Sequence, residues 1–145
     1  MPDFERIVHP CCAIELHLRD CTDGLADATV VEPGSIDVIV TSPPYNLGIR
    51  YSQYDDTISR PDYLEWMRSW AAQVRDVLSE DGSLFLNIGS KPSDPGVPFA
   101  VLGEMLAAGF KLQNTFHWVK SVAIDKEHLS NGSEVDQGIV VGHYK

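Results

Sequence analysis

Residues 35–40 form a short apolar run rich in β-branched side chains, and the pair Pro43-Pro44 follows it closely. The run predicts a buried strand of a parallel sheet. The prolines fix φ, remove two backbone donors and force Ser42 into an extended conformation, so residues 42–45 should form a stiff loop with free carbonyls. Ligands bind outside the carboxyl ends of strands in open α/β sheets, so we expect a binding site here. A hydroxyl, free carbonyls and the Tyr45 ring suit an amino group on a flat ring.

The segment before this strand alternates between apolar and polar residues from Ile14 to Arg19. The alternation predicts a half-buried strand ending at Asp20. Residues 1–12 show no period and predict an irregular arm or a sheet edge. Asp20 should therefore lie at a strand end, where capping of the turn into residues 22–28 is an alternative role for its carboxylate.

The segment after the prolines begins with residues 47–58, which are polar, aromatic and acidic, without a helical period. They predict a functional or mobile loop that could close over a ligand. A capping pattern at Ser59 predicts an amphipathic helix reaching to about Leu78. Asp81-Gly82 should stop this helix and lead into a strand over residues 83–88. The resulting β-loop-α-β unit predicts parallel strands and an α/β fold.

A second helix should open at Pro98 and end before Gly109, which is a plausible left-handed cap. A strand is predicted over residues 110–119. His117 falls in that strand, where a partly exposed side chain is expected rather than a catalytic base. Residues 121–145 are rich in Gly, Ser, Asn and charged residues and predict a polar, flexible tail.

The hexapeptide Thr41-Ser42-Pro43-Pro44-Tyr45-Asn46 resembles the catalytic motif of the amino-methylating DNA methyltransferases. That motif is Asp, Asn or Ser followed by Pro-Pro and then Tyr, Phe or Trp. The similarity extends over roughly positions 14–120. It implies a Rossmann-like, S-adenosylmethionine-dependent methyltransferase sheet within the α/β class.

The family's order places a Phe-x-Gly-x-Gly cofactor loop after the catalytic motif, and no Gly-x-Gly occurs in these 145 residues. The resemblance therefore implies that residues 1–145 are the N-terminal, catalytic-motif part of a methyltransferase domain, with an incomplete sheet. A missing C-terminal half or a partner chain would complete it. Uncovered sheet edges could also produce a homo-oligomer, and the chain alone should be inactive.

The resemblance also implies a role for each residue of the motif. The Ser42 hydroxyl and the Pro43 carbonyl would accept the two hydrogens of the base's amino group, so that the nitrogen lone pair points at the methyl donor. Tyr45 would stack on the flipped base while Pro44 holds the geometry. The implied cofactor is S-adenosylmethionine. Its binding is assigned to Asp20, Cys21, Thr41, Ser42 and Asn46.

The target base is indicated by the first residue of the motif. Ser42 in place of Asp favours cytosine N4 over adenine N6 in the resembling family. Adenine N6 stays an alternative, because a hydroxyl accepts a hydrogen bond from either amine. A non-catalytic binding or assembly module with the same fold is a second alternative, in which the prolines form a rigid turn or docking segment.

The formal net charge of −10 bears on the expected partners. Binding of duplex DNA depends on Lys and Arg that neutralise phosphates, so the basic surface should lie in sequence outside these residues. The chain shows neither a twenty-residue apolar run nor a signal-peptide pattern, which predicts a soluble, cytoplasmic protein with no membrane partner. Three cysteines, an odd count, agree with a reducing compartment.

The histidines and cysteines of the N-terminal segment are candidate metal ligands, namely His9, Cys11, Cys12, His17 and Cys21. Their spacing matches neither Cys-x-x-Cys nor His-x-x-x-His, so no metal is expected. Pro10-Cys11 is similar to the Pro-Cys nucleophile of methyltransferases that act on a ring carbon. It precedes the first predicted strand instead of following a sheet strand, so ordinary thiols are expected.

Overall fold

The computed structural model describes residues 4–52, 54–118, 121–122 and 140–141. The chain divides into two units, Met1–Lys111 and Leu112–Lys145. The elements of the first unit are, in chain order, β1 (Phe4–His9), β2 (Cys12–His17), α1 (Cys21–Ala26), β3 (Ile36–Thr41), α2 (Arg60–Val77), β4 (Leu78–Leu86) and α3 (Val97–Ala107). The unit is therefore a mixed α/β structure built on small sheets.

β1 and β2 form an antiparallel hairpin whose register runs to His9 opposite Cys12. Of the two alternatives predicted for residues 1–12, the irregular arm is wrong over residues 4–9 and the sheet edge is confirmed there, because β1 is one strand of a two-stranded sheet. β2 supplies the hydrogen-bonding partner, and pairing can impose a strand on a segment that has no periodic pattern of its own.

β2 ends at His17 rather than at Asp20. Its predicted half-buried face is also wrong, because Ile14 and Leu16 are 50% and 53% exposed. Cross-strand pairing satisfies the backbone of a hairpin without covering its apolar side chains. Asp20 instead caps α1, where its carboxylate accepts a hydrogen bond from the Thr22 N–H at 2.8 Å. The capping role proposed as an alternative is confirmed.

β3 and β4 are parallel, as the β-loop-α-β pattern predicts, with Ile39 beside Leu84 and Val40 beside Phe85. The prediction that β3 is a buried strand is correct for only one of its faces, and within the described chain β3 pairs with β4 alone. Ile39 and Leu84 pack against the core, whereas Val40 and Phe85 are 76% and 52% exposed. Neighbouring positions on a strand point to opposite faces, and only one face of this pair packs on the core.

α2 begins at the predicted cap. The Ser59 hydroxyl donates to Asp62 Oδ2 at 2.6 Å, and the Asp62 N–H donates back to Ser59 Oγ at 3.3 Å. The helix ends at Val77, close to the predicted limit. Burial of a large apolar side chain stabilises a fold by roughly 1.5–3 kcal/mol. The buried core residues of α2 and α3 are Tyr63, Met67, Trp70, Ala71, Val74, Val77, Val97, Val101 and Met105.

β4 begins at Leu78, directly after α2, so the prediction that Asp81-Gly82 stops the helix is wrong. Gly82 lies within the strand, where a Cβ would meet Ile36 O and Leu78 Cδ2 at 2.9 Å each. The register shifts nearby, between Ile36 and Val38. A glycine is required here because the two backbones approach closely at an irregular point of the ladder. The strand ends at Leu86, slightly before its predicted limit.

α3 carries Pro98 in its first turn and ends before Gly109, whose φ of 94° is in the left-handed region expected of a helix cap. The strand predicted over residues 110–119 is wrong for residues 110–118, which form no strand. Val119 lies outside the described residues. Alternating side chains make a strand only where another strand accepts the backbone hydrogen bonds, and Phe116 is 83% exposed.

The second unit is described over residues 112–118 and over an antiparallel pair, β5 (Ser121–Val122) and β6 (Val140–Val141). Most of the polar tail predicted for residues 121–145 lies outside the described residues. Among the helices described above, none has the length and apolar character needed to cross a membrane.

Candidate active site

The turn that follows β3 lies at the carboxyl end of a parallel strand, as predicted. Ser42 and Tyr45 meet across it, with 2.6 Å between Ser42 Oγ and the Tyr45 hydroxyl oxygen. Ser42 is exposed and Tyr45 is half-buried. Because the prolines between them restrict the backbone, the two hydroxyls form one hydrogen-bonded pair at the surface.

Asn87 lies beside this turn because β3 and β4 run in the same direction and end together. Its N–H donates to Thr41 O at 2.9 Å, which continues the parallel ladder. Its side-chain amide donates to the Tyr45 hydroxyl at 2.9 Å and to Ser42 Oγ at 3.3 Å. The hydroxyl oxygens of Ser42 and Tyr45 thus both accept a hydrogen bond from the Asn87 amide, and a further hydrogen bond links the two hydroxyls to each other. A lone pair of Ser42 Oγ stays available when Ser42 donates to Tyr45.

The ring of Tyr45 packs against the backbone at Gly89. A Cβ at this position would lie 2.7 Å from Tyr45 Cε2 and 2.9 Å from Cδ2, closer than Cβ atoms come to other heavy atoms. Any other residue would therefore displace the ring. The position of Tyr45 depends on Gly89 as well as on Asn87.

The Pro44 carbonyl accepts a hydrogen bond from the Tyr63 hydroxyl at 2.9 Å. Tyr63 is fully buried in α2, and burial raises the pKa of its hydroxyl, which keeps the donor protonated. The prediction that both proline carbonyls are free is thus wrong for Pro44, since a tyrosine from the core reaches it. Within the described part of the chain, nothing hydrogen-bonds to the Pro43 carbonyl.

The next residue, Asn46, begins a loop that closes around Asp56. Asp56 Oδ1 accepts from the Asn46 N–H at 2.8 Å, and Oδ2 accepts from the N–H groups of Leu47 at 3.0 Å and Ile49 at 2.9 Å. Asn46 has a φ of 55°, and its side-chain amide donates to the carbonyls of Asp56 and Ile58. Asp56 is 1% exposed. A buried carboxylate therefore holds the start of the loop, and the Asn46 amide is used inside it.

The rest of this loop packs on α2 through aromatic rings. The Tyr54 ring centroid lies 5.9 Å from that of Trp66, and Tyr51 meets Tyr54 edge-on at 6.1 Å. Arg50 and Asp55 form an isolated bridge across the loop. The prediction that residues 47–58 are functional or mobile stays a prediction, but their ends and aromatic side chains have defined partners.

A cleft of about 410 Å³ opens between β3, α1 and α2. It brings together three of the residues assigned to the cofactor, which are Asp20, Cys21 and Thr41, but its lining includes neither Ser42 nor Asn46. Small-molecule sites are typically about 300–1,000 Å³ and mostly apolar. The other residues that line it are His17, Arg19, Gly24, Leu25, Val30, Val31, Ile36, Ile39, Val40, Trp70, Val74 and Val77.

The polar groups of the cleft differ in charge. Hydrogen bonds from the side chain and the backbone of Thr22 lower the pKa of Asp20, so its carboxylate is ionised at neutral pH. Both bonds reach Oδ1. Burial, and then the neighbouring Asp20 charge, raise the pKa of the Cys21 thiol. The cleft thus offers an apolar wall together with the Asp20 carboxylate, the Arg19 guanidinium, the His17 ring and a neutral thiol.

Comparison with protein families matches residues 36–137 to a family described as DNA methylase, of the N6 and N4 type. The match includes the turn after β3, α2, β4 and α3. The chain belongs to this family.

Several curated relatives of this DNA methylase chain are type II methyltransferases. M.MjaVI of Methanocaldococcus jannaschii is 45% identical over 87 residues, which cover 58% of this chain and 45% of that protein. M.HpaI of Haemophilus parainfluenzae is 35% identical over 71 residues, covering 49% and 23%. M1.MboII of Moraxella bovis is 28% identical over 125 residues, covering 83% and 43%. The chain thus spans less than half the length of these relatives. No solved structure matches it significantly.

Sequence reasoning about this DNA methylase chain missed Asn87, Gly89, Tyr63 and Asp56. Asn87 and Gly89 carried a usable signal, because they lie at the end of a strand that was predicted to be parallel to the motif strand, and parallel strands end at the same edge of a sheet. Tyr63 carried no signal of its own, because the apolar stripe predicted for this helix begins at Leu64. Asp56 looked like one more acidic residue of a polar loop, and only its burial reveals what it binds.

Proposed function

We propose that this chain is the catalytic-motif part of an S-adenosylmethionine-dependent DNA methyltransferase that modifies the exocyclic amino group of a flipped base, with cytosine N4 favoured. The observation that carries the proposal is the Ser42 and Tyr45 pair, held by Asn87 at the end of a parallel strand and adjacent to the cleft. Type II methyltransferases among the relatives support the reaction class.

The chemical task is to make an amino nitrogen nucleophilic, because its lone pair is delocalised into the base. Two acceptors that bind its two hydrogens favour a pyramidal nitrogen. Ser42 Oγ can serve as one when its own hydrogen goes to Tyr45, and the Pro43 carbonyl, without a partner among the described residues, can serve as the other. Pro44 is held in place by Tyr63, so these acceptors are positioned before the base arrives.

Tyr45 would stack on the flipped base. Its hydroxyl now contacts Ser42 Oγ, and its ring lies against Gly89. Stacking therefore requires the ring either to accept the base on its open face or to turn away from Ser42. A turn would free Ser42 Oγ for the amino group.

The residues of the cleft fit the implied cofactor. S-adenosylmethionine supplies an electrophilic methyl group on a sulfonium sulfur. The Asp20 carboxylate lines the cleft and can accept a hydrogen bond from a hydroxyl or an amino group. Cys21 and Thr41 line the same cleft. Ser42 and Asn46 were also assigned to the cofactor. The Ser42 hydroxyl bonds to Tyr45 and Asn87, and the Asn46 amide bonds to the loop at Asp56 and Ile58, so any role of these two residues in cofactor binding would be indirect.

The rest of the protein would complete the sheet and bind duplex DNA. Val40 and Phe85 are neighbours on the exposed face of β3 and β4, which favours a larger Rossmann-like sheet covered by a C-terminal half or a partner chain. The net charge of −10 favours a phosphate-binding surface in that remainder rather than in residues 1–145. The chain by itself should then transfer no methyl group, and its open faces could produce a homo-oligomer.

The test is methyl transfer from radiolabelled S-adenosylmethionine to mixed-sequence duplex DNA by the complete protein, beside the chain alone. Mass spectrometry of the digested product separates N4-methylcytosine from N6-methyladenine. Ser42→Ala should lower turnover at least tenfold, since one positioned acceptor is lost. Ser69→Ala, which changes an exposed serine of α2, is the matched control and should leave turnover unchanged.

Three outcomes of this assay decide between the alternatives. Methyladenine as the product would correct the base and keep the reaction. Binding of cofactor or DNA by the complete protein without any transfer would favour the non-catalytic module. Full activity of Ser42→Ala would remove Ser42 from the mechanism.

A further inference from the structure

Three soft donor groups converge at the tip of the β1–β2 hairpin. The Nδ1 of His9 and the sulfurs of Cys11 and Cys12 all lie within 4.8 Å of one another. His9 Nδ1 is 3.0 Å from Cys11 Sγ, and the two sulfurs are 4.0 Å apart. All three residues are exposed. The cluster lies outside the residues that line the cleft and outside the turn after β3.

The hairpin register produces this convergence. His9 is directly opposite Cys12 in the last pair of the ladder, and Cys11 lies in the turn between them. The Cys11 N–H donates to His9 Nδ1 at 3.4 Å, so this nitrogen carries a lone pair that faces the turn. Spacing along the sequence does not reveal the arrangement, because cross-strand pairing brings these donors together.

The distances suit a small tetrahedral ion. Zinc bonds of about 2.3 Å to sulfur and 2.0–2.1 Å to nitrogen place neighbouring ligand atoms about 3.5–3.8 Å apart. The distance from His9 Nδ1 to Cys11 Sγ is 3.0 Å and that between the two sulfurs is 4.0 Å, one below and one above this range. Small side-chain rotations would therefore bring the three atoms to the spacing of zinc ligands. Two thiolates and a neutral imidazole balance the charge of Zn²⁺, and sulfur ligands select zinc over magnesium or calcium.

We propose that His9, Cys11 and Cys12 form a zinc site at the hairpin tip, with a fourth position open to water or to a group from another molecule. The ion would join the turn to the ends of β1 and β2. The site is independent of the proposed methyl transfer. Cys21 does not belong to it, because that thiol lines the cleft.

The experiment uses the full chain, reduced and stripped of metal, with Zn²⁺ as the probe in competition with a chromogenic chelator. One equivalent should bind. Cys11→Ser, Cys12→Ser and His9→Asn each remove one ligand. Each variant should bind zinc more weakly by at least roughly 10–100-fold, which is the loss known for mutation of outer-shell partners of a metal site. Cys21→Ser removes the one remaining thiol outside the site and should bind zinc as the wild type does.

A Co²⁺ titration identifies the ligands directly, since coordination by thiolate produces a sulfur-to-metal charge-transfer absorption. The band should appear in the wild type and in Cys21→Ser, and it should be absent in the Cys11→Ser/Cys12→Ser double variant. Circular dichroism verifies that the double variant is folded. Equal zinc affinity of the double variant and the wild type would overturn the proposal, as would loss of binding in Cys21→Ser alone.

Discussion

The turn after β3 and the tip of the β1–β2 hairpin both present polar side chains directly after a strand, but different contacts hold them. At the hairpin, His9 meets Cys12 through a ladder between neighbouring strands. At the turn, Ser42 and Tyr45 meet Asn87, which lies 45 and 42 residues further along the chain. The first arrangement follows from local pairing. The second exists only because β3 packs beside β4.

The two regions also differ in burial. The Arg6–Glu15 ion pair of the hairpin, at 3.3 Å, joins side chains that are 58% and 42% exposed. Beside the turn, Asp56 is almost completely buried and accepts from three backbone N–H groups. Exposed ion pairs contribute little to stability, whereas a buried group that loses its partner is costly. We therefore expect substitutions near the turn to have larger effects than those in the hairpin.

The largest effect is expected for Asp56→Ala. The backbone N–H groups of Asn46, Leu47 and Ile49 lose their acceptor, and water can replace only some of these hydrogen bonds. The free energy of unfolding measured in urea should therefore fall by about 2–4 kcal/mol. Asp55→Ala is the matched control, because Asp55 is exposed and, within the described residues, its carboxylate binds only the nearby Thr57. A similar loss in both variants would show that the burial of Asp56 is not what matters.

The next effect concerns activity and depends on the proposed function. Asn87→Ala removes the amide that donates to Ser42 and Tyr45. A lost hydrogen bond of about 1.4 kcal/mol in the transition state would lower methyl transfer by the complete protein about tenfold. Asn114→Ala changes an exposed amide of the second unit and should have no such effect. Unchanged turnover in Asn87→Ala would mean that Ser42 and Tyr45 are positioned without the hydrogen bonds from Asn87.

A smaller effect is expected for Tyr63→Phe, which removes the donor to the Pro44 carbonyl but keeps the buried ring. The free energy of unfolding should fall by about 1 kcal/mol. Tyr54→Phe is a sharp control, because the buried Tyr54 hydroxyl has no hydrogen-bond partner within the described residues. That variant should be as stable as the wild type or slightly more so. The opposite ranking would contradict the role given to Tyr63.

The smallest effect is expected in the hairpin. Arg6→Ala should reduce the protection of β2 amides against hydrogen exchange by less than about 1 kcal/mol at low salt. High salt should remove the difference, since it screens exposed charges. A loss that exceeds that of Tyr63→Phe would reverse the comparison between the two regions.

Features that depend on a few neighbouring residues were predictable from the sequence. The Ser59 cap, the apolar stripe of α2, Pro98 in the first turn of α3 and the left-handed Gly109 all appear as predicted. Each has its physical cause within one or two helical turns, where caps and the period of 3.6 residues act. The Ser-Pro-Pro-Tyr turn belongs to the same group, because proline restricts the backbone wherever it occurs.

Features that need a distant partner were decided by the tertiary structure. Residues 4–9 lack a pattern and form a strand because β2 pairs with them, whereas residues 110–118 alternate and form none. Gly82 is explained by the approach of β3, and not by a turn of its own. The sequence by itself could determine the family, the helices α2 and α3 and the position of the turn after β3. The partners of that turn, Asn87, Tyr63 and Asp56, are set by strand pairing and burial, because a hydrogen bond depends on distance in space rather than along the chain.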